Sequence, residues 1–234
     1  GLAFKVAAAP FHLWTPDVYE GATLPITAFM SATVKTAAFA AFSRIMIEAL
    51  AGASQRWHLG VWWLAALTMI VGNVLALSQK QLVRMLAYSS IAHAGYLLVA
   101  VLVGTEAGTM AIVFYTVSYT LATFGAFAVL VTVNNGRDRS MTVDDLAGLW
   151  VVRPWLASAM TLFLLALLGM PLVGGMGFFA KWYVLQAALQ ASAPQTILSV
   201  ILVVTSAISA GYYLVLVSAM FMRPRPEGLL VPVT

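Results

Sequence analysis

The chain contains no cysteine, which excludes disulfides, thiolate metal centres and cysteine-ligated iron–sulfur clusters on this polypeptide. Charge is nearly as scarce: Asp, Glu, Lys and Arg make up 9% of the residues, against roughly 25% in a soluble globular domain. No Gly-rich phosphate loop, dinucleotide fingerprint or metal-ligand cluster occurs, so the chain by itself is expected to bind neither a nucleotide nor a redox metal. There is no stretch long and polar enough for a soluble domain, and no low-complexity tract. A starting methionine and a basic leader are also missing. The chain opens at Gly1 in what reads as mid-helix, the expectation being an internal fragment of a longer polypeptide that lacks its N-terminal half and last span.

What fills the chain is apolar: 62% of its residues are hydrophobic. A membrane span needs about 20 mainly apolar residues. By that measure there is a partial helix at 1–10, followed by spans near 26–50, 58–79, 86–104, 108–134, 155–190 and 195–221. The predicted fold is all-α, a polytopic transmembrane bundle forming one membrane domain over 1–234. Turn formers punctuate it. Pro10, Pro16 and Pro25 bracket the first connection, Gly52 follows the next helix, Asn134-Asn135-Gly136 ends another, and Pro194 opens the last.

Successive loops must alternate sides, which makes orientation readable. Lys80, Arg84, Arg137, Arg139, Arg153, Arg223 and Arg225 fall on one set of loops, and only Arg56 on the other. Basic residues gather on the cytoplasmic side, so the Lys80/Arg84 and Arg137/Arg139 loops are predicted to be cytoplasmic in a bacterial-type inner membrane. The connection with Asp17 and Glu20 falls on that side too. The net charge of +4 therefore reflects sidedness, and no nucleic-acid partner is implied.

Two segments are interrupted. The stretch Trp155–Gln190 is too long for one straight span and is broken by Gly169-Met170-Pro171 and then Gly174, Gly175 and Gly177. The first segment is broken at Ala9-Pro10-Phe11-His12. Broken helices survive at membrane depth only where the freed backbone faces protein or water, and they mark ion sites in transporters.

Both breaks adjoin a lysine. Lys5, Lys35 and Lys181 lie in apolar stretches with no acidic residue within a helical turn. A cation near the bilayer centre costs roughly 2.5–3.5 kcal/mol even on a lenient insertion scale, so each is a candidate functional residue. Lys35 is about 14 Å into its span at 1.5 Å per residue, near the midplane, and Lys181 is at a similar depth. Lys35 shares a face with Ala28, Ser31, Ala32 and Ala38, a small-residue surface suited to helix packing. An amine screened from water by protein can hold or release a proton as neighbouring charges change. The competing reading is a lysine that snorkels to the headgroups or pairs with an unseen acid for assembly.

His12 and His93 are further candidates for the relay or for lining a water channel, because imidazole titrates near neutrality. His93 shares a helix face with Ser89, Ser90 and Tyr96, a polar stripe in an apolar span. An interhelical hydrogen bond explains that stripe equally well. Tyr115, Ser118 and Tyr119 on one helix, and Ser206, Ser209 and Tyr213 on another, recur at helical spacing and could hold water or bond across helices.

These stretches resemble the antiporter-like membrane subunits of respiratory complex I. Gly1-Leu-Ala-Phe-Lys5 through Pro10-Phe-His12-Leu-Trp-Thr-Pro-Asp-Val-Tyr19 is similar to the family's broken-helix signature, and its wording favours the subunit N branch. Leu86-Ala-Tyr-Ser-Ser-Ile-Ala-His93-Ala-Gly-Tyr96 resembles a second motif, and Gly169-Met-Pro171 with Gly177-Phe-Phe-Ala-Lys181 a third. Ala92 and Ala180 stand where the family usually has Ser and Gly. The resemblance implies a proton-translocating subunit of NADH-quinone oxidoreductase in which Lys5, Lys35 and Lys181 hand on protons. It implies no cofactor on this chain, with NADH, flavin, iron–sulfur clusters and quinone on other subunits. The expected partners are the lipid bilayer and other membrane subunits, paralogous antiporter-like ones included. Two alternatives stay open: a subunit of a multisubunit cation/proton antiporter or related membrane-bound hydrogenase, and a scaffold whose lysines are inert.

Overall fold

The computed structural model describes residues 1–134, 141–171 and 175–225. Asn135, Gly136, Arg137, Arg139 and Gly174 lie outside the described residues. A short helix α1 (Leu2–Lys5) and an eight-residue helix α2 (Trp14–Gly21) precede the long ones. The spans follow: α3 (Leu24–Ala49), α4 (Ser54–Leu77), α5 (Leu82–Val103) and α6 (Glu106–Asn134). After a 3₁₀ turn at Val143–Leu146 come α7 (Leu149–Val152), the half-helices α8 (Pro154–Leu168) and α9 (Met176–Gln190), and the last span α10 (Thr196–Met222). Among the described residues no strand forms beyond the isolated bridge between Gln81 and Thr142.

The predicted bundle and its spans are thus present to within a few residues at most ends. The stretch near 155–190 is two 15-residue helices, together long enough to cross at 1.5 Å per residue. It is divided where Gly169 takes a left-handed φ of +82°, a conformation that glycine adopts without strain.

α5 is the axis of the bundle. Its apolar window is 89% buried, against 56% for α6, the next most buried span. It pairs most intimately with α4, where the absent side chains of Gly72 and Gly95 let the helices close on Ala92 and Met69. Small residues at a crossing allow dispersion contacts that hold helices together in lipid. The outer spans keep one face for lipid, with Leu67, Ile70 and Val74 exposed on α4 and Val113, Val117 and Leu121 on α6.

Connections sort by end. At one end Arg84 Nη1 donates to Asp17 Oδ1 at 2.7 Å and to Glu20 Oε2 at 2.8 Å, tying α2 to α5. The 141–146 segment sits at the same end: Leu82 N donates to Met141 O at 2.9 Å, and Arg223 Nη1 donates to Asp144 Oδ1 at 2.9 Å. At the opposite end the α3–α4 turn, Gly104 and the Ala191–Gln195 turn surround one open cavity. Arg84 and Arg223 thus lie at one end of the bundle.

A buried hydrogen-bonded network as the candidate functional site

The site grows from the face of α5. Ser89 and Ser90 lie four and three residues before His93, and Tyr96 three after it, so they share one side of the helix, and all four are buried. Between them they reach α3, α4, α6, α9 and α10.

Ser90 meets α3. The Lys35 ammonium donates to both the carbonyl oxygen and the hydroxyl of Ser90, and lies 5.6 Å from the centre of the Tyr119 ring. Tyr119 OH in turn donates to Ser90 Oγ at 2.9 Å. Lys35 directly follows a π-helical turn, Met30–Val34. The extra residue in such a turn re-aims the side chains after it and often marks a functional site. Ala28, Ser31 and Ala32 on the same face are buried, so the lysine faces protein.

His93 lies between two tyrosines. Its Nδ1 is 2.6 Å from Tyr115 OH on α6, and its Nε2 is 3.3 Å from Tyr213 OH on α10. Tyr213 OH also bonds Ser89 Oγ. Imidazole and phenol can each donate and accept, so protonation at one ring nitrogen can be answered by hydroxyl rotation at the other.

Lys181 occupies the break. Its ammonium donates to Leu168 O at 2.8 Å and to Ser206 Oγ at 2.5 Å, and lies 5.0 Å from the centre of the Tyr96 ring. Its aliphatic stem runs along Gly169, where an added Cβ would stand 3.0 Å from Lys181 Cδ. Among the described residues no carboxylate pairs with either buried lysine. Both charges are met by neutral oxygens and ring faces, which stabilise a cation less completely than a counter-ion does.

Lys5 stands apart from the other two lysines: it is exposed among the described residues. The reason is position: α1 has only four residues, none buried, and rests against α3 at the edge of the bundle. The next residues, Val6 to Ala9, turn inward instead. Pro10 at the first break is exposed too, while Ala9 N is satisfied by Thr68 Oγ1 at 2.9 Å.

His12 is 5% exposed and packs edge-on to Tyr88, with neither ring nitrogen hydrogen-bonded. The structure does not bring it into the network around His93. Pro171 is exposed at the second break, and Gly177 is the second residue of α9, where an added Cβ would collide with the Ala166 carbonyl.

Sequence reasoning missed Asn73. This residue is fully buried on α4, where Nδ2 donates to Tyr96 OH at 3.0 Å and Oδ1 accepts from Tyr212 OH at 3.0 Å. A lone amide in the apolar stretch 59–77 of that helix is the signal that could have found it, since polar groups in lipid-spanning helices face protein and bond across helices. Thr205 and Ser206 lie close to the Tyr96 hydroxyl, which joins this branch to the Lys181 side.

Comparison with known proteins gives the family. The family described as NADH:quinone oxidoreductase/Mrp antiporter, transmembrane, matches residues 1–209. NADH-quinone oxidoreductase subunit N of Gemmatimonas aurantiaca is 77% identical over 234 residues, covering all of this chain and 45% of that protein. Subunit N of Trichlorobacter lovleyi is 50% identical over 97% of this chain and 46% of its own length. The chain thus spans a little under half the length of these curated relatives. A chain of respiratory complex I from Thermus thermophilus superposes with a TM-score of 0.81 at 42% identity, covering 97% of this chain and 50% of that one. A chain of the Mrp complex from a Dietzia species gives 0.86 at 26% identity, covering 97% and 43%. Because that family matches residues 1–209, most of the chain, the protein belongs to the NADH:quinone oxidoreductase/Mrp antiporter transmembrane family.

Proposed function

We propose that this chain forms the proton-conducting core of a membrane subunit of NADH-quinone oxidoreductase, respiratory complex I, and that Lys35, His93 and Lys181 carry the proton. The observation that carries the reading is the placement of two buried lysines, each held by neutral oxygens, on either side of a histidine between two tyrosines. An amine in that setting changes protonation when a nearby charge changes, because no fixed counter-ion holds it charged. His93 and its tyrosines offer intermediate stations that accept at one atom and donate at another. Lys5, at the bundle edge, is the site where this core would meet a charge from another membrane element. Ser89 and Tyr96 orient Tyr213 and Lys181. His12 is kept as a second-rank relay candidate.

Without cysteine the chain has no thiolate to ligate an iron–sulfur cluster, and on this reading NADH, flavin and quinone chemistry belong to partner subunits, as the resemblance implies. This chain would act by moving protons in response, as part of a translocase in a bacterial inner membrane, with the Arg84 end cytoplasmic. A cation/proton antiporter subunit is the second reading, favoured by the likeness to the Mrp complex. The subunit N relatives, at 77% and 50% identity, favour complex I.

The test uses the full-length subunit in the assembled complex, reconstituted into liposomes. Lys35→Ala and Lys181→Ala are expected to lower proton pumping per NADH oxidised. Wild-type pumping in both would overturn the reading. Transport that followed a sodium gradient and ignored NADH and quinone would move it to the antiporter class.

A further inference from the structure

The network around α5 falls into branches, and among the described residues each of the hydrogen bonds that define them stays within its own branch. Lys35, Ser90 and Tyr119 form one branch, Tyr115, His93, Tyr213 and Ser89 another, and Lys181 with Leu168 and Ser206 a third. No direct hydrogen bond among the described residues joins His93 to Lys181. Between them lies a small cavity that His93, Tyr115, Ser118, Tyr119, Gly177 and Lys181 help to line. Members of all three branches therefore face the same space.

Ser118 is the informative wall. It is 5% exposed, and its hydroxyl has no hydrogen-bond partner. A serine or threonine inside a helix ordinarily bonds the carbonyl one turn back. Thr116, Thr132, Thr161 and Thr205 all do so here. Ser118 forgoes that bond while bordering the cavity, and a buried hydroxyl left without any partner is destabilising.

We infer that Ser118 anchors one buried water molecule that bridges Lys181 and Tyr115, the hydrogen-bond partner of His93, which makes Ser118 a positioning residue for proton transfer. This rests on the relay reading above and adds to it the link that reading lacks. The space suits about one water molecule, which needs two to four polar partners. The Ser118 hydroxyl, the Tyr115 hydroxyl and the Lys181 ammonium supply them. A metal cation is disfavoured in the same space, because Lys181 faces it and no carboxylate lines it. The room exists because α9 presents Gly177 and Ala180 there.

The transfer balances. The water accepts a proton from the Lys181 ammonium and gives one of its own to the Tyr115 hydroxyl, whose proton passes to His93 Nδ1, 2.6 Å away. Lys181 ends neutral, His93 ends protonated, and water and Tyr115 are unchanged. The reverse order uses the same groups.

Ser118→Thr and Ser118→Val test this in the assembled complex in liposomes, because the two add nearly equal volume and differ in the hydroxyl. The threonine variant is expected to pump near the wild-type ratio per NADH, and the valine variant to lose the share of pumping that this subunit carries. Equal pumping by the two would overturn the proposal. Lys181→Ala measured alongside separates the two levels of the argument. If it pumps normally, the relay itself is wrong; if it fails while Ser118→Val pumps normally, only the water is wrong. Should Ser118→Val not assemble, an electron cryo-microscopy map of the wild-type complex decides: ordered density in hydrogen-bond reach of Ser118 Oγ supports the proposal, and a dry cavity overturns it.

Discussion

The Lys181 ammonium is bound to the carbonyl oxygen of Leu168, the last residue of the half-helix α8, at 2.8 Å. The final carbonyls of a helix have no intrahelical donor and carry the negative end of its dipole. The break therefore supplies partial negative charge at membrane depth without a carboxylate. It also explains why a helix interruption and a lysine lie close together in the sequence: each answers an unmet need of the other.

Gly169→Ala should damage both partners. Gly169 has φ +82°, and an added Cβ would stand 3.0 Å from Lys181 Cδ. Holding a non-glycine residue in that region costs of order 1–3 kcal/mol, and the lysine stem must also shift. The expected outcome is a lower thermal midpoint of the purified complex together with reduced pumping per NADH. A variant matching wild type in both would show that the Lys181 position does not depend on this turn.

Ser90→Ala should be milder than Lys35→Ala. The substitution removes the hydroxyl shared by Lys35 and Tyr119 but leaves the Ser90 carbonyl, the other acceptor of the ammonium. Interhelical hydrogen bonds in membrane proteins contribute about 0.6 kcal/mol on average and up to about 1.7. Pumping should fall only in part, with assembly kept, as judged by proton-to-NADH ratio and subunit content. A loss as deep as that of Lys35→Ala would make the hydroxyl, and not the carbonyl, the essential partner.

The spans were legible because apolar length is a direct physical requirement of the bilayer. The second break was legible too, since Gly169 and Pro171 have few uses inside a span. What the chain hid was pairing at a distance. Ser89 and Tyr213 are 124 residues apart and Tyr212 and Asn73 are 139 apart, and nothing local announces such partners. The π-helical turn before Lys35 leaves no composition signature, because it is an extra residue in the winding and not a type of residue.

Asn73→Leu tests the branch that sequence reading overlooked. Leucine is close to asparagine in size, so packing is largely kept while Tyr96 and Tyr212 each lose a partner. A buried hydroxyl left unsatisfied costs about 1–3 kcal/mol, less where Thr205 or Ser206 takes over for Tyr96. A lowered thermal midpoint is expected, with a smaller effect on pumping than Lys181→Ala, because Asn73 touches Lys181 only through Tyr96. If pumping fell as far as in Lys181→Ala at unchanged stability, Asn73 would belong in the relay itself.

Arg84→Gln should loosen α2 without unfolding the bundle. Arg84 bridges Asp17 and Glu20 through one nitrogen, and these contacts hold an eight-residue helix against α5. The three side chains are 29%, 72% and 25% exposed, so solvent screens the pair with Asp17 more than the pair with Glu20. Exposed ion pairs contribute about 0.2–1 kcal/mol each, and the total here stays near that range after screening. Hydrogen exchange of residues 14–21 should rise in the variant while that of the α5 interior is unchanged. Raising salt on the wild-type protein should move exchange in the same direction. Exchange at 14–21 that ignored both the substitution and the salt would assign the docking of α2 to the apolar contacts of Tyr19 with Val83 and Ala87 and leave the ion pairs a minor part.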